Sequence, residues 1–237
     1  MNRFYAPRES VRDGRIAFTD EEKRHIAGSR RHKSGDTVAV LDGKGSVHEV
    51  LLLIEKKSIT GKIISTRRCE APATRITLYQ SVLKNNRMHL LVEKAAELGV
   101  SRIVPVITSR TVPLIGSGSA YAEKLRKIAV SALKQSGRFY LAEITDPARL
   151  SGIRLPAGSI NIFAHEKEDK AAGLGSLDIK AAAEVNLFIG PEGGFSEEDY
   201  ILLKEAGCLP VSLGPSVMRS ETAAIYMISI LNYLSLQ

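Results

Sequence analysis

VNLFIGPEGGFS, residues 185–196, and VSLGPSVMRSET, residues 211–222, share one pattern: a short apolar run, a break on glycine and proline, then a helix start. The first break, Gly190-Pro191-Glu192-Gly193-Gly194, holds three glycines in five residues. Residues without Cβ atoms permit positive φ and let a ligand approach bare main chain. Ser196 is placed to N-cap a helix whose first turn carries Glu197, Glu198 and Asp199. Loops at the carboxyl ends of strands in an α/β sheet are where small ligands bind. A plain β–α connection would give the same letters once; two such loops in one half of the chain favour a shared cleft.

The acidic first turn offsets the helix dipole and would repel a phosphate arriving at that end. A ligand carrying adenine, ribose and a positive sulfonium, held by backbone amides and carbonyls, fits better than a triphosphate. Other familiar sites are missing from the sequence: there is no G-x-x-x-x-G-K-[ST] loop, no G-x-G-x-x-G between strand and helix, and no G-x-S-x-G elbow. Gly173-Leu174-Gly175 reads as a turn, and His165-Glu166 lacks the second histidine of a zinc motif. No metal is expected.

The 237 residues suffice for one large domain or two modest ones. No apolar run is long enough to span a bilayer, MNRFYAPRES is no signal peptide, and Cys69 and Cys208 are isolated packing residues. These features predict a cytoplasmic protein without a membrane partner. The net charge of +7 is unevenly spread. Residues 1–72 hold 15 Lys/Arg against 10 Asp/Glu, residues 73–160 hold 13 against 5, and residues 161–237 hold 5 against 11. The glycine loops therefore lie in an acidic third, and the basic remainder suits a polyanion such as nucleic acid or is a solvated surface.

Residues 1–70 read as a small β-rich unit. Strands are expected at Arg3–Tyr5, Ile16–Phe18, Thr37–Leu41, Val47–Leu53 and Ser58–Ile64, with a Thr19/Glu22 capping box opening a short helix to about Ala27. Beta-branched residues and close glycine turns predict a barrel. Its conspicuous feature is the corner Arg30-Arg31-His32-Lys33, a candidate phosphate grip. After a linker at Cys69–Ala73 the rhythm changes, and residues 74–237 alternate strands and helices, the signature of a mostly parallel sheet. Strands are expected at 76–82, 103–106, 160–163, 185–189 and 211–213, and helices at 85–98, 121–135, 197–206 and 221–234. The last helix, with AAIYMISILNYL, is apolar on nearly every face, which predicts burial on two sides and a homodimer through it.

IGPEGGFSEED at 189–199 followed by LGPSVMRSETA at 213–223 closely resembles the ribosomal RNA small-subunit methyltransferase E family of SPOUT enzymes. Lys94-Ala95-Ala96-Glu97-Leu98-Gly99, Gln135-Ser136-Gly137-Arg138 and His25 with Arg31-His32-Lys33-Ser34-Gly35-Asp36 extend the likeness over nearly the whole chain. Two places depart from the family pattern: Val217-Met218-Arg219-Ser220 stands for Ile-Leu-Arg-Thr, a volume-conserving change, and Ser29-Arg30 stands for Val-Leu. The resemblance implies an α/β fold with a PUA-like N-terminal β-barrel (1–70) and a SPOUT domain (74–237). In the latter, a mostly parallel sheet with flanking helices carries a deep trefoil knot. It implies S-adenosyl-L-methionine as cofactor, bound in the knot of a homodimer, and methylation of N3 of a uridine in the 16S rRNA of the small ribosomal subunit.

Carried over by position, the cofactor walls are Phe163, Ala164 and His165; Ile189, Gly190, Pro191, Glu192, Gly193 and Gly194; and Leu213, Gly214, Val217, Met218 and Arg219, with Thr222 nearby. Catalytic candidates are Glu221 as base, and Arg219 and Arg138 as charge stabilisers or RNA clamps; Glu221 also reads as a dipole-offsetting helix carboxylate. Lys94 and Glu97, three apart on one helix, either pair with each other or face the active site, where Lys94 is a candidate RNA contact. Two competing readings are a noncatalytic RNA-binding assembly factor and a SPOUT enzyme acting on another nucleotide.

Overall fold

The computed structural model describes residues 2–29, 31–56, 58–112, 116–165 and 177–236. They form two compact units, one of Met1–Ala71 with Val130–Leu141, the other of Pro72–Ala129 with Ala142–Gln237.

The first unit contains β1 (Arg3–Tyr5), β2 (Val11–Arg12), β3 (Arg15–Ala17), α1 (Asp20–Arg24), β4 (Thr37–Leu41), β5 (Ser46–Ile54) and β6 (Ile59–Arg68). Its strands join in the order β1-β4-β5-β6-β3-β2, antiparallel except for β1 on β4. Alternation sends Val38 and Val40 of β4 and Val50 and Leu52 of β5 to one face, where they pack with Phe4, Ile16, Phe18 and Ile26. Gly61 has no room for a side chain, because a Cβ there would overlap the Val50 methyl.

Thr19 caps α1 through its hydroxyl, which accepts from the Glu22 amide. Glu22, however, does not complete the expected box. It is buried, and its Oε1 accepts from the Lys134 ammonium at 2.5 Å. The chain then leaves the α-helix through a π turn over His25–Ser29, where a simple continuation to Ala27 was expected. Lys134 belongs to the segment 130–141 that groups with this unit.

The second unit contains β7 (Arg75–Ser81), α2 (Asn85–Glu97), β8 (Arg102–Ile107), α3 (Gly118–Ser136), β9 (Glu143–Ile144), β10 (Ala148–Arg149), β11 (Ile160–Ala164), β12 (Glu184–Ile189), α4 (Glu197–Glu205), β13 (Leu209–Val211) and α5 (Ser220–Leu236). The last seven residues of α3 fall in the first unit. Every pairing in its sheet is parallel, in the order β10-β8-β7-β12-β11-β13, with β9 also on β8. This is the mixed α/β architecture expected. The central strands β7 and β12 are buried along almost their whole length, with the polar Thr77, Gln80, Ser81 and Asn186 buried among their apolar residues. Met88, Leu91, Val92 and Ala95 of α2 and Ala224, Met227, Ile228 and Leu231 of α5 are fully buried. Each large side chain contributes roughly 1.5–3 kcal/mol by leaving water. The Asn232 amide donates to the Leu98 carbonyl, tying α5 to the end of α2.

β13 begins two residues before the expected position and includes Pro210. Proline removes a ladder donor, so the run Leu209-Pro210 reads as a break; at the sheet edge, where β13 pairs only with β11, it is tolerated.

Strand order sets up the site. The chain leaves the β7/β8 half and returns with β12, β11 and β13 side by side. All three run parallel, so their carboxyl ends, and the loops that follow, gather at one edge of the sheet.

Removing one partner of the buried Glu22–Lys134 pair strands a charge, at a cost of about 3–5 kcal/mol. Lys134→Met should lower the urea midpoint accordingly, and Glu22→Leu combined with it should recover most of the loss. An unchanged midpoint for the single variant would show that the pair carries no stability.

Candidate functional site

Three loops enclose a cavity of about 280 Å³. Ala164 ends β11 and His165 follows it; Ile189 to Glu197 run from β12 into α4; Leu213 to Met218 follow β13, and Ser220 and Ala223 open α5. The walls are largely main chain. Apolar surface comes from Ile189, Leu213, Val217, Met218 and Ala223, and charge from Glu192, Glu197 and Arg110.

The first loop is tightly folded. The Gly194 amide donates to the Pro191 carbonyl, and Gly194 holds φ +67. A Cβ on Gly190 would stand 3.1 Å from the Phe195 amide nitrogen and 3.2 Å from the Gly194 carbonyl carbon, so a side chain there would push the returning main chain aside by a few tenths of an ångström. Gly193 is freer, its Cβ position being 3.7 Å from Arg110 Cδ. In the second loop Gly214 sits at φ +108.

Side chains then fix the loop by its carbonyls. The Ser220 hydroxyl donates to the Gly190 oxygen, and Gln80 Nε2 donates to that same hydroxyl at 2.9 Å. Arg110 Nη1 donates to the carbonyls of Gly193 at 2.7 Å and Phe195 at 3.3 Å. Arg110 is positioned in turn by its neighbour: Ser109 donates from Oγ and backbone to Asp199 Oδ1. Asp199 also completes a reciprocal capping box with Ser196. The acidic first turn of α4 thus has a divided role, with Asp199 buried and structural and Glu197 on the cavity wall.

Beside the cavity, Arg87 of α2 reaches Glu192 Oε1 at 3.3 Å and lies 3.8 Å from Glu221 Oε1. Glu221 is buried at the start of α5, and its Oε2 has no hydrogen-bond partner among the described residues. The same is true of His165 Nδ1, although the ring is steadied by Tyr200 at 5.0 Å. Buried polar atoms are ordinarily satisfied. These two atoms, one on the cavity wall and one beside it, are free to bond a polar ligand.

An RNA methyltransferase domain model matches residues 69–232. The chain is 32% identical to the ribosomal RNA small subunit methyltransferase E of Aquifex aeolicus over 98% of its own length and 99% of that protein. The chain belongs to the ribosomal RNA small subunit methyltransferase E family. Among solved structures, the family enzyme from Neisseria gonorrhoeae, bound to S-adenosylmethionine, superposes with a TM-score of 0.88 at 28% identity, covering 99% of this chain and 98% of that one. A Legionella pneumophila methyltransferase with the same cofactor bound gives 0.89 at 29% identity, covering 98% and 96%.

Within this methyltransferase E family member, the structure gathers twelve of the expected cofactor residues on the cavity: Ala164, His165, Ile189 through Gly194, Leu213, Gly214, Val217 and Met218. Phe163 lies beneath, fully buried and edge-on to His165 and Phe195. Arg219 and Thr222 are exposed and off the lining. Arg138 is exposed in the first unit. Lys94 bonds Glu93 at 2.7 Å and Glu97 at 3.1 Å.

In the basic corner, Arg30 lies outside the described residues, as do Glu166 and Gly173-Leu174-Gly175. Arg31 holds φ +49. His32 is pinned, with Nδ1 on Asp36 at 2.9 Å, Nε2 on Asn2 at 3.0 Å and its ring edge-on to Phe4. Lys33 is exposed. Arg110, Arg87, Ser109 and Gln80 were missed by the sequence reading. Thr108-Ser109-Arg110 follows β8 at the carboxyl edge of the sheet, and that position was the available signal. Burial pushes the Cys208 thiol up to about 11, consistent with a packing role.

Gly190→Ala should cost about 1–3 kcal/mol by overpacking the turn, whereas Gly193→Ala should shift the denaturant midpoint little. Equal midpoints for the two variants would contradict this loop geometry.

Proposed function

We propose that this methyltransferase transfers a methyl group from S-adenosylmethionine to N3 of a uridine in the 16S rRNA of the small ribosomal subunit. The observation that carries the reading is the main-chain cavity bearing two carboxylates, Glu197 and Glu192, the latter also met by Arg87 from beside the cavity, while Arg110 on the lining is engaged with carbonyls. Such a wall suits an adenosyl group with a positive sulfonium better than a phosphate. The cofactor's contribution is an electrophilic methyl carbon on a departing sulfonium.

Ile189 to Gly194 and Leu213 to Met218 would hold the adenosyl group through main-chain contacts, with Ala164 and His165 closing the third side; Phe163 supports His165 from below, and Arg219 and Thr222 flank the second loop. Positioning does most of the work in an in-line displacement. N3 must lose a proton, and Glu221, with one oxygen near Arg87 and the other unpaired, is the proposed acceptor. Arg219 and Arg138 are proposed to stabilise charge or clamp RNA, and Arg30, Arg31, His32, Lys33 and Lys94 to contact the RNA backbone. The proposed domains are a PUA-like barrel over 1–70 and a knotted SPOUT domain over 74–237. Exposed Tyr226, Tyr233 and Leu236 on α5 support dimerisation through that helix. No helix among the described residues is long and apolar enough to cross a membrane; a cytoplasmic site of action follows from the proposed substrate.

The test is transfer of labelled methyl to small-subunit rRNA, with mass mapping of the product nucleoside. Methyl on a different nucleotide would replace the proposed target, and none at all, despite cofactor binding, would favour a noncatalytic assembly factor. Glu221→Gln should lower kcat by about 10²- to 10⁴-fold while the cofactor Kd stays within about twofold of wild type. Gly193→Val should abolish cofactor binding with the fold intact; a lost fold would mark that glycine as architectural.

A further inference from the structure

The first unit carries a file of cations that the function so far described does not use. Asp13 at φ +49 and Gly14 at φ +70 make the two-residue turn joining β2 to β3. That turn sets Arg12 directly across from Arg15, and β6 sets Lys62 directly across from Arg15 on the other side. Directly opposed residues in antiparallel strands lie roughly 5 Å apart and share a face. Arg12, Arg15 and Lys62 therefore stand in one row, all exposed, and among the described residues none of them is in an ion pair.

Like charges placed opposite each other destabilise a sheet, so folding alone gives no reason for the arrangement. β6 continues it. The register passes from Val50↔Ile63 to Glu49↔Ser65, leaving Ile64 as the extra residue of a bulge, 55% exposed two residues from Lys62. Beyond the bulge Arg67 and Arg68 are also exposed, Arg67 over the Phe139 ring at 5.3 Å. The acids nearby are Asp13 at the turn and Glu49, whose carboxylate accepts from Ser65. A regularly spaced row of long cations beside an outward isoleucine matches a chain of phosphates with sugar or base faces between them.

We infer that the β2–β3–β6 face, through Arg12, Arg15 and Lys62, is a docking surface for the RNA phosphate backbone. It is distinct from the corner at residues 30–33 and rests on the rRNA methyltransferase reading only for the identity of the RNA.

The test uses the full chain, a 16S rRNA transcript as probe, and the triple variant Arg12→Gln, Arg15→Gln, Lys62→Gln. A charge-matched control replaces exposed Lys124, Lys127 and Lys204 with Gln. The strand variant should bind about 10- to 100-fold more weakly near 0.1 M salt, and the slope of log K against log salt should fall by about 2–3, as expected for three lost phosphate contacts. Its KM for rRNA should rise, with kcat and cofactor Kd unchanged. An unaltered slope, or an equal loss in the control, would overturn the surface while leaving methyl transfer intact. Wild-type binding with no methyl transfer, and loss of that binding in the strand variant, would support the surface and remove the transferase reading instead.

Discussion

A wall made of main chain has to be held by its own polar groups. Between Gly190 and Gly194 the loop carries no side chain larger than those of Pro191 and Glu192, and only Phe195 at its end packs into the core, so packing alone does not fix its shape. Three carbonyls do so instead: Gly190 accepts from Ser220, and Gly193 and Phe195 accept from Arg110. A charged donor to a carbonyl is about twice as strong as a neutral one, and the Gln80–Ser220–Gly190 chain polarises along its length. Because these donors occupy carbonyl oxygens on the loop, its shape is set before any ligand arrives, which lowers the cost of binding.

The anchors come from distant parts of the sequence, and topology explains why. β12 enters the sheet between β7 and β11, so Gln80 at the end of β7 lies beside the loop that follows β12. Arg110 follows β8, one strand further, and is aimed by the Ser109–Asp199 bond. Asp199 serves both helix capping and Arg110 placement, so the start of α4 and the shape of the loop are coupled. Loss of that carboxylate would disturb a helix end and a cavity wall together.

This distribution also explains what the sequence revealed. Strands β7, β11 and β12 and helices α2, α4 and α5 were legible because their periodicity and caps are local: Gly99 at φ +85 after α2, and Ser196 with Asp199 at α4. The glycine loops were legible because φ and close approach demand a particular residue. Arg110, Arg87 and Gln80 were not, since an arginine after a strand looks like any solvated arginine until strand order brings a carbonyl to it. Glu22 misled the reading for the same reason: the capping pattern was present, but a lysine 112 residues away claimed the carboxylate. His32 appeared to be one of four similar cations, yet Asp36, Asn2 and Phe4 give it a structural place.

The charge segregation noted at the outset now has a physical basis. The carboxylates Glu192 and Glu197 on the cavity suit the proposed cofactor, whose positive sulfonium becomes a neutral thioether on transfer and would then be held less strongly. An RNA partner requires the opposite sign. The acids at the cavity stand on short loops of the second unit, whereas Arg12, Arg15 and Lys62 stand on exposed strands of the first. One chain thus offers each ligand charges of the sign it requires, carried on different structural elements.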